Sequence, residues 1–246
     1  MPGYLTWGMN KARLLILVAV AGLIVVSAAA ARPVIIRGTH HDDVLTGTPS
    51  NDIVFAKAGN DTVNALAGND RVFAARGDDT VDGGPGNDRI FGGPGNDTLN
   101  GSDGDDLIRG RHGDDHVDGG PGLDRIFGGL GDDTLTAGNG RAVMWGGYGN
   151  DTLTAGDNGL SRLHGGPGDD TLNGGARRDF IWGGRGVDHE FGGDGNDVLH
   201  ALARDNQVDT LDCGPGDHDV AWLRAGESDT TVNCEVVKTV SVGSDG

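Results

Sequence analysis

The sequence predicts an all-β solenoid in which short strands stack into a rod, with two nine-residue units to each coil. Three observations predict it. Aspartate recurs at every ninth position from Asp43 to Asp133 without a break. An apolar residue stands two positions after almost every slot in that series, Glu190 being the exception. The residues on either side of the apolar one alternate between two unlike sets, so the true period is eighteen.

Taken in chain order, the first element lies apart from the rest. Lys11 and Arg13 precede an apolar run from Leu14 to Val26, followed by "SAAAAR". A charged start, an apolar stretch and a small-residue cleavage site make a secretory signal over residues 1–31, cut after Ala30 or Ala31. The alternative is an uncleaved anchor, since Leu14 to Ala31 is near the lower length for a membrane span. After cleavage no stable membrane span is expected. "PVIIRGT" then puts Ile36 in the apolar frame with no aspartate, which predicts a first, capping strand.

The repeat occupies residues 32–209. Within each unit a triplet such as "RIF" or "TLN" places its middle residue on one face and its neighbours on the other, the period-two pattern of a strand. The other six residues, such as "GGPGND", form a turn whose glycines allow positive φ and close backbone approach. A strand this short cannot bury itself, so the units must stack. In one set of units, threonine (with His116) precedes the apolar residue and Asn, Asp or Thr follows it. In the other set, arginine is common before it. After it runs a row of Phe55, Phe73, Phe91, Arg109, Phe127, Trp145, His164, Trp182 and His200.

The frame continues past Asp133 with Ala142 in place of aspartate, then Asp151. One inserted residue precedes Ser161, and Asp170, Asp179, Asp188, Asp197 and finally Asn206 follow, with Val208 as the last apolar position. Residues 210–246 read as a small C-terminal cap covering the open sheet edge of the solenoid, with strands near Val220–Leu223 and Thr231–Val237. Cys213 and Cys234 are the only cysteines. In an exported chain they are expected to form one disulfide that pins the cap, two free thiols being the alternative.

The nonapeptide G-G-x-G-x-D-x-U-x is a calcium-binding β-helix repeat. Through it the chain resembles the repeats-in-toxin (RTX), or hemolysin-type calcium-binding, family over roughly residues 38–209. The resemblance implies a parallel β-roll, in which two small parallel sheets face each other across a thin apolar layer and turns line both edges. About nine coils at ~4.8 Å each would make a rod of roughly 45 Å.

Composition agrees with metal binding by short carboxylate arms. Of 37 acidic residues only Glu190, Glu227 and Glu235 are glutamate, and the formal net charge is −18. Such a charge excludes nucleic acid as a partner. Aspartates one strand spacing apart repel unless a cation lies between them. Ca²⁺ takes 6–8 oxygen ligands and accepts carbonyls of a glycine-rich turn. Mg²⁺ fits less well, and the absence of thiolate or imidazole clusters disfavours Zn²⁺.

An eighteen-residue coil puts the expected ligands on two edges. One holds Asp43, Asp61, Asp79, Asp97, Asp115, Asp133, Asp151, Asp170 and Asp188. The other holds Asp52, Asp70, Asp88, Asp106 and Asp124, then Ala142 and Ser161, then Asp179 and Asp197. The second row is therefore expected to be interrupted near residues 138–141 and 156–161. The Asn or Asp just before each slot, such as Asn87 and Asn96, reads as turn chemistry rather than a ligand.

The aromatic row reads either as a ladder stacked along the sheet or as a docking surface for a protein, glycan or cell-surface polymer through Phe55, Phe73, Phe91, Phe127, Trp145 and Trp182. The threonine row opposite reads as a solvent face, with ice binding a remote alternative. No catalytic motif is present, so an enzyme is not expected. The resulting expectation is a secreted, extracellular calcium-binding repeat protein whose folding is coupled to calcium, with an adhesion module as the alternative.

Overall fold

In the computed structural model, the structure describes residues 15–18, 23–25 and 33–241. Among them there is no helix. The strands form two parallel sheets of thirteen and twelve strands, and the chain switches sheet at every strand. Each strand therefore pairs with the next but one, which defines a parallel β-solenoid. The sheets are unlike. One is built mainly of six-residue strands such as Arg89–Pro94, the other of three-residue strands such as Thr98–Asn100.

Pairing follows the eighteen-residue period. Phe55 lies opposite Phe73, Phe73 opposite Phe91, and Thr80 opposite Thr98. The inserted residue is absorbed between Val143 and Arg162, which pair directly although nineteen rather than eighteen positions apart. The inward residues make one apolar layer: Val54, Val72, Ile90, Ile108, Ile126, Met144, Leu163 and Ile181 face Leu45, Val63, Val81, Leu99, Val117, Leu135, Leu153 and Leu172, all at most 1% exposed. Each contributes about 1.5–3 kcal/mol of burial.

Glu190, the break in the apolar pattern, occupies its core position and is fully buried. Its carboxylate accepts the backbone N–H groups of Gly183 (2.6 Å) and His200 (3.0 Å). Burial pushes its carboxyl well above the usual range.

The stack is longer than nine coils because the flanking segments coil as well. At the start, Val34–Arg37 pairs with Ile53–Phe55, and Ile36 is fully buried. Leu15–Val18 pairs in parallel with Val34–Arg37, and Leu23–Val25 with Val44–Thr46. The rest of residues 1–31, where the signal is expected, lies outside the described residues.

At the other end the frame differs from the expected one. Asn206 does not take an aspartate slot; it sits in a turn at φ 58°. Val208 is 43% exposed, and Leu211 is the core residue instead. Three extra residues in the loop shift the frame. The strands Thr210–Asp212, Val220–Arg224, Thr230–Val232 and Val236–Val240 then continue both sheets. The segment expected as a single strand at Thr231–Val237 is thus two strands in different sheets, separated at Asn233, which has φ 56°. Cys213 and Cys234 are bonded (Cα–Cα 5.1 Å), and the bond joins the ends of two neighbouring short strands.

Candidate metal centre

The aspartates of the two rows occupy equivalent positions. Each inner carboxylate closes a coil, and all sixteen expected ligands are at most 2% exposed. The backbone N–H of one aspartate donates to Oδ1 of the aspartate one coil later, at 2.6–3.0 Å along both edges. One oxygen of each carboxylate is thereby spent on holding coil to coil.

The other oxygen is left over. Oδ2 of Asp61, Asp70, Asp79, Asp88, Asp97, Asp106, Asp115, Asp124, Asp133, Asp151, Asp170, Asp179, Asp188 and Asp197 is buried with no hydrogen-bond partner. The glycines explain where it points. A Cβ placed on Gly83 would meet Asp88 Oδ2 at 2.6 Å and the Gly101 carbonyl oxygen at 2.9 Å. The same convergence recurs at Gly128, between Asp133 Oδ2 and the Gly146 carbonyl, and at Gly101, between Asp106 Oδ2 and the Gly119 carbonyl. Carboxylate and carbonyl oxygens from successive coils thus gather in the space that only a glycine leaves open.

Electrostatics mark the same atoms. Burial, with the neighbouring carboxylates adding to it, pushes the carboxyls of Asp88, Asp133 and Asp179 up to about 8. It pushes those of Asp70, Asp79, Asp97, Asp124, Asp170, Asp188 and Asp197 to about 7. Leaving a buried acceptor unsatisfied costs about 1–3 kcal/mol. More than a dozen such atoms exceed the ~5–15 kcal/mol net stability of a typical domain. The donors that gather here are hard oxygens, as calcium requires. Among the described residues no three His, Cys, Asp or Glu side chains cluster as a metal site. In this lattice the carboxylates are dealt one to a rung, and backbone carbonyls make up the rest.

The ends and the gap differ from the middle. Asp43 Oδ2 accepts from Thr39 N–H and Thr39 Oγ1, and Asp52 Oδ2 from Thr48 N–H (2.6 Å) and Thr48 Oγ1 (2.9 Å). Asp52 is therefore satisfied by protein alone, Val34 N–H (2.8 Å) donating to its Oδ1, whereas Asp43 keeps a buried Oδ1 with no partner. On the second edge, Ala142 N–H finds only Ser161 Oγ, at 3.3 Å, and Ser161 N–H then reaches Asp179 Oδ1 at 2.6 Å. The carboxylate row is broken there, and the strands Leu123–Leu130 and Arg141–Tyr148 lengthen to eight residues.

Sequence reasoning missed the C-terminal continuation of both rows. Asp188 N–H donates to Asp209 Oδ1 (2.9 Å), and Asp209 N–H to Asp229 Oδ1 (3.1 Å). Asp197 N–H donates to Asp219 Oδ1 (2.6 Å), and Asp219 N–H to Glu235 Oε2 (2.7 Å). Oδ2 of Asp219 and Asp229 is again orphaned. The signal was present: Asp209-Thr-Leu211 and Asp219-Val-Ala221 keep the aspartate two residues before a buried apolar one.

The backbone N–H groups of Asn87 and Asn96 bond to the preceding coil rather than within their own turns. Asn87 N–H donates to Asn69 Oδ1, and Asn96 N–H to Asp78 Oδ1, within an outer ladder running along each edge. In the short-strand sheet Asn64, Asp82, Asn100 and Asp118 each accept the N–H two residues on, an Asx turn that ends the strand.

The aromatic row is a stack. Phe55, Phe73 and Phe91 lie 5.1 Å apart with nearly parallel planes, and Phe127, Trp145, His164, Trp182, His200 and Trp222 continue at 4.4–6.2 Å. Arg37 lies over Phe55, Arg109 bridges Phe91 and Phe127, and Lys238 lies over Trp222. The ring faces are covered by one another, so mainly ring edges are left for solvent. Burial pulls the His200 imidazole down to about 4.

A parallel β-roll with rows of inward carboxylates over glycine turns defines a calcium-binding solenoid. The family model for the RTX calcium-binding nonapeptide repeat (4 copies) matches the chain repeatedly between residues 37 and 212, leaving only 159–163 unmatched, where the register slips. The chain belongs to that family. A comparison with curated proteins gave no match.

Proposed function

We propose that the protein is an exported calcium-binding roll, delivered outside the cell by the signal at residues 1–31, and that calcium drives its folding. The observation that carries this reading is the row of orphaned Oδ2 atoms. With calcium bound, they and the turn carbonyls gain a partner, and the carboxylate charge is neutralised within the lattice. The inner aspartates from Asp61 to Asp197, with Asp219 and Asp229, would hold the ions. Asp43 and Asp52 stand at the threonine-capped end. Without calcium, like charges one strand spacing apart oppose the stack, and a ligand that binds only the folded state stabilises it by mass action.

The test is circular dichroism of the chain from residue 32 onward, titrated with calcium and then with EDTA. A β signal that appears on adding calcium and vanishes on chelation is expected. A full β signal in EDTA at pH 8 would refute the coupling, and amino-terminal sequencing of the exported protein tests the cleavage after Ala30 or Ala31.

A further inference from the structure

Along the second carboxylate row, up to its break at Ala142, lies a groove of about 530 Å³ lined by Arg89, Arg125, Arg141 and Arg162, with Leu123 and Val143 between them, and by Asp88, Asp105, Asp106 and Asp124. All four arginines are exposed. None has a carboxylate within ion-pair distance; among the described residues the one ion pair is Arg224–Glu227. Asp88, Asp106 and Asp124 are inner carboxylates that calcium neutralises on the reading above, which leaves four guanidinium groups against Asp105 alone in a chain of net charge −18. Ala142, one of the two positions at which the lattice lacks its carboxylate, also lines the groove.

Register orders the charges. Arg89, Leu107, Arg125, Val143 and Arg162 are successive rungs, each hydrogen-bonded to the next strand. Three guanidinium groups thus recur at every second rung, ~10 Å apart for a ~4.8 Å strand spacing. Arg141 joins them because its strand begins two residues early, opposite Leu123. Exposed ion pairs are individually weak, so such a row is suited to a ligand that engages several arginines at once. Arginine's planar fork favours carboxylate oxygens taken in pairs. A step of two rungs is about the advance of one disaccharide along an extended β-linked chain. The denser charge of a nucleic acid does not match that step.

The geometry points to a binding site for an acidic polysaccharide that carries one carboxylate per disaccharide, seated along Arg89, Arg125 and Arg162 with Arg141 at its side. This goes beyond calcium binding but rests on that reading, because Asp88, Asp106 and Asp124 line the same groove.

The test uses the full chain in calcium, titrated with an unsulfated hyaluronan oligosaccharide and followed by calorimetry. The triple variant Arg89→Gln, Arg125→Gln, Arg162→Gln is expected to weaken binding at least tenfold, while calcium-loaded circular dichroism stays as in the parent. The variant Arg76→Gln, Arg185→Gln, outside the groove, is expected to bind as the parent does. The inference is overturned if the oligosaccharide does not bind, or if both variants lose binding equally. It is also overturned if duplex DNA or free glucuronate binds as tightly as the oligosaccharide, since charge alone or a single-ion site would then suffice.

Discussion

At the scale of single residues, the two oxygens of one aspartate do different work. Oδ1 takes the N–H of the preceding coil and sets the stacking distance, while Oδ2 is the atom without a protein partner. Asp133 and Asp52 separate the two roles. Asp133 has a free Oδ2 beside Gly128, whereas Thr48 already satisfies Asp52. Asp133→Asn is therefore expected to lower the measured calcium stoichiometry and raise the calcium concentration at the folding midpoint several-fold. Asp52→Asn should leave the stoichiometry unchanged. Atomic absorption on the desalted proteins checks the first expectation, and a calcium titration the second. Equal losses in the two variants would contradict the division of roles.

At the scale of the element, the eighteen-residue coil explains why one outer row became aromatic. Identical positions of successive coils lie one strand spacing apart, close to the distance at which flat rings stack. The ladder from Phe55 to Trp222 therefore follows from register, with Arg109 bridging its one gap. A stacked pair adds about 0.5–1.5 kcal/mol beyond burial, and Phe73 makes two. Phe73→Ser is expected to lower the thermal midpoint of the calcium-loaded protein by several degrees. An unchanged midpoint would remove the structural role and return the row to a docking function. Much of this element was legible in advance: the two edges, the alternating faces, the break at Ala142 and Ser161, and the Cys213–Cys234 bond. The loops after Asp197 were misread because insertions there change the count between slots, and a reading tied to a fixed period follows the count. Asp209 and Asp219 keep their place through pairing, which tolerates a longer loop. The threonine caps on Asp43 and Asp52 were likewise visible as residues, but their contact with Oδ2 depends on how the turn folds back.

At the scale of the whole molecule, proton and calcium compete for the same lattice. In the metal-free roll most inner carboxyls have pKa values raised to between about 6 and about 8, above the unfolded value near 3.9. The folded state then binds more protons than the unfolded one. The stability these groups contribute is fully present below about pH 4 and is lost as pH rises through about 6 to 8. In EDTA the roll is thus expected to gain β signal on acidification from pH 8 to pH 5. Calcium binds the deprotonated form, so adding calcium at pH 6 should release protons, measurable by pH-stat titration, and at pH 9 should release almost none. An EDTA signal independent of pH over this range would show that the carboxyls are not buried as described.

The sequence by itself determined the period, the inward and outward faces, the metal class and the family, because each depends on residue type at fixed spacing along one chain. The tertiary structure alone decided which oxygen of each carboxylate is free, how far the coils extend beyond the repeat, and that four arginines from separate rungs share one groove. Those properties arise between coils, where loops of different length bring together residues whose spacing in the chain does not announce it.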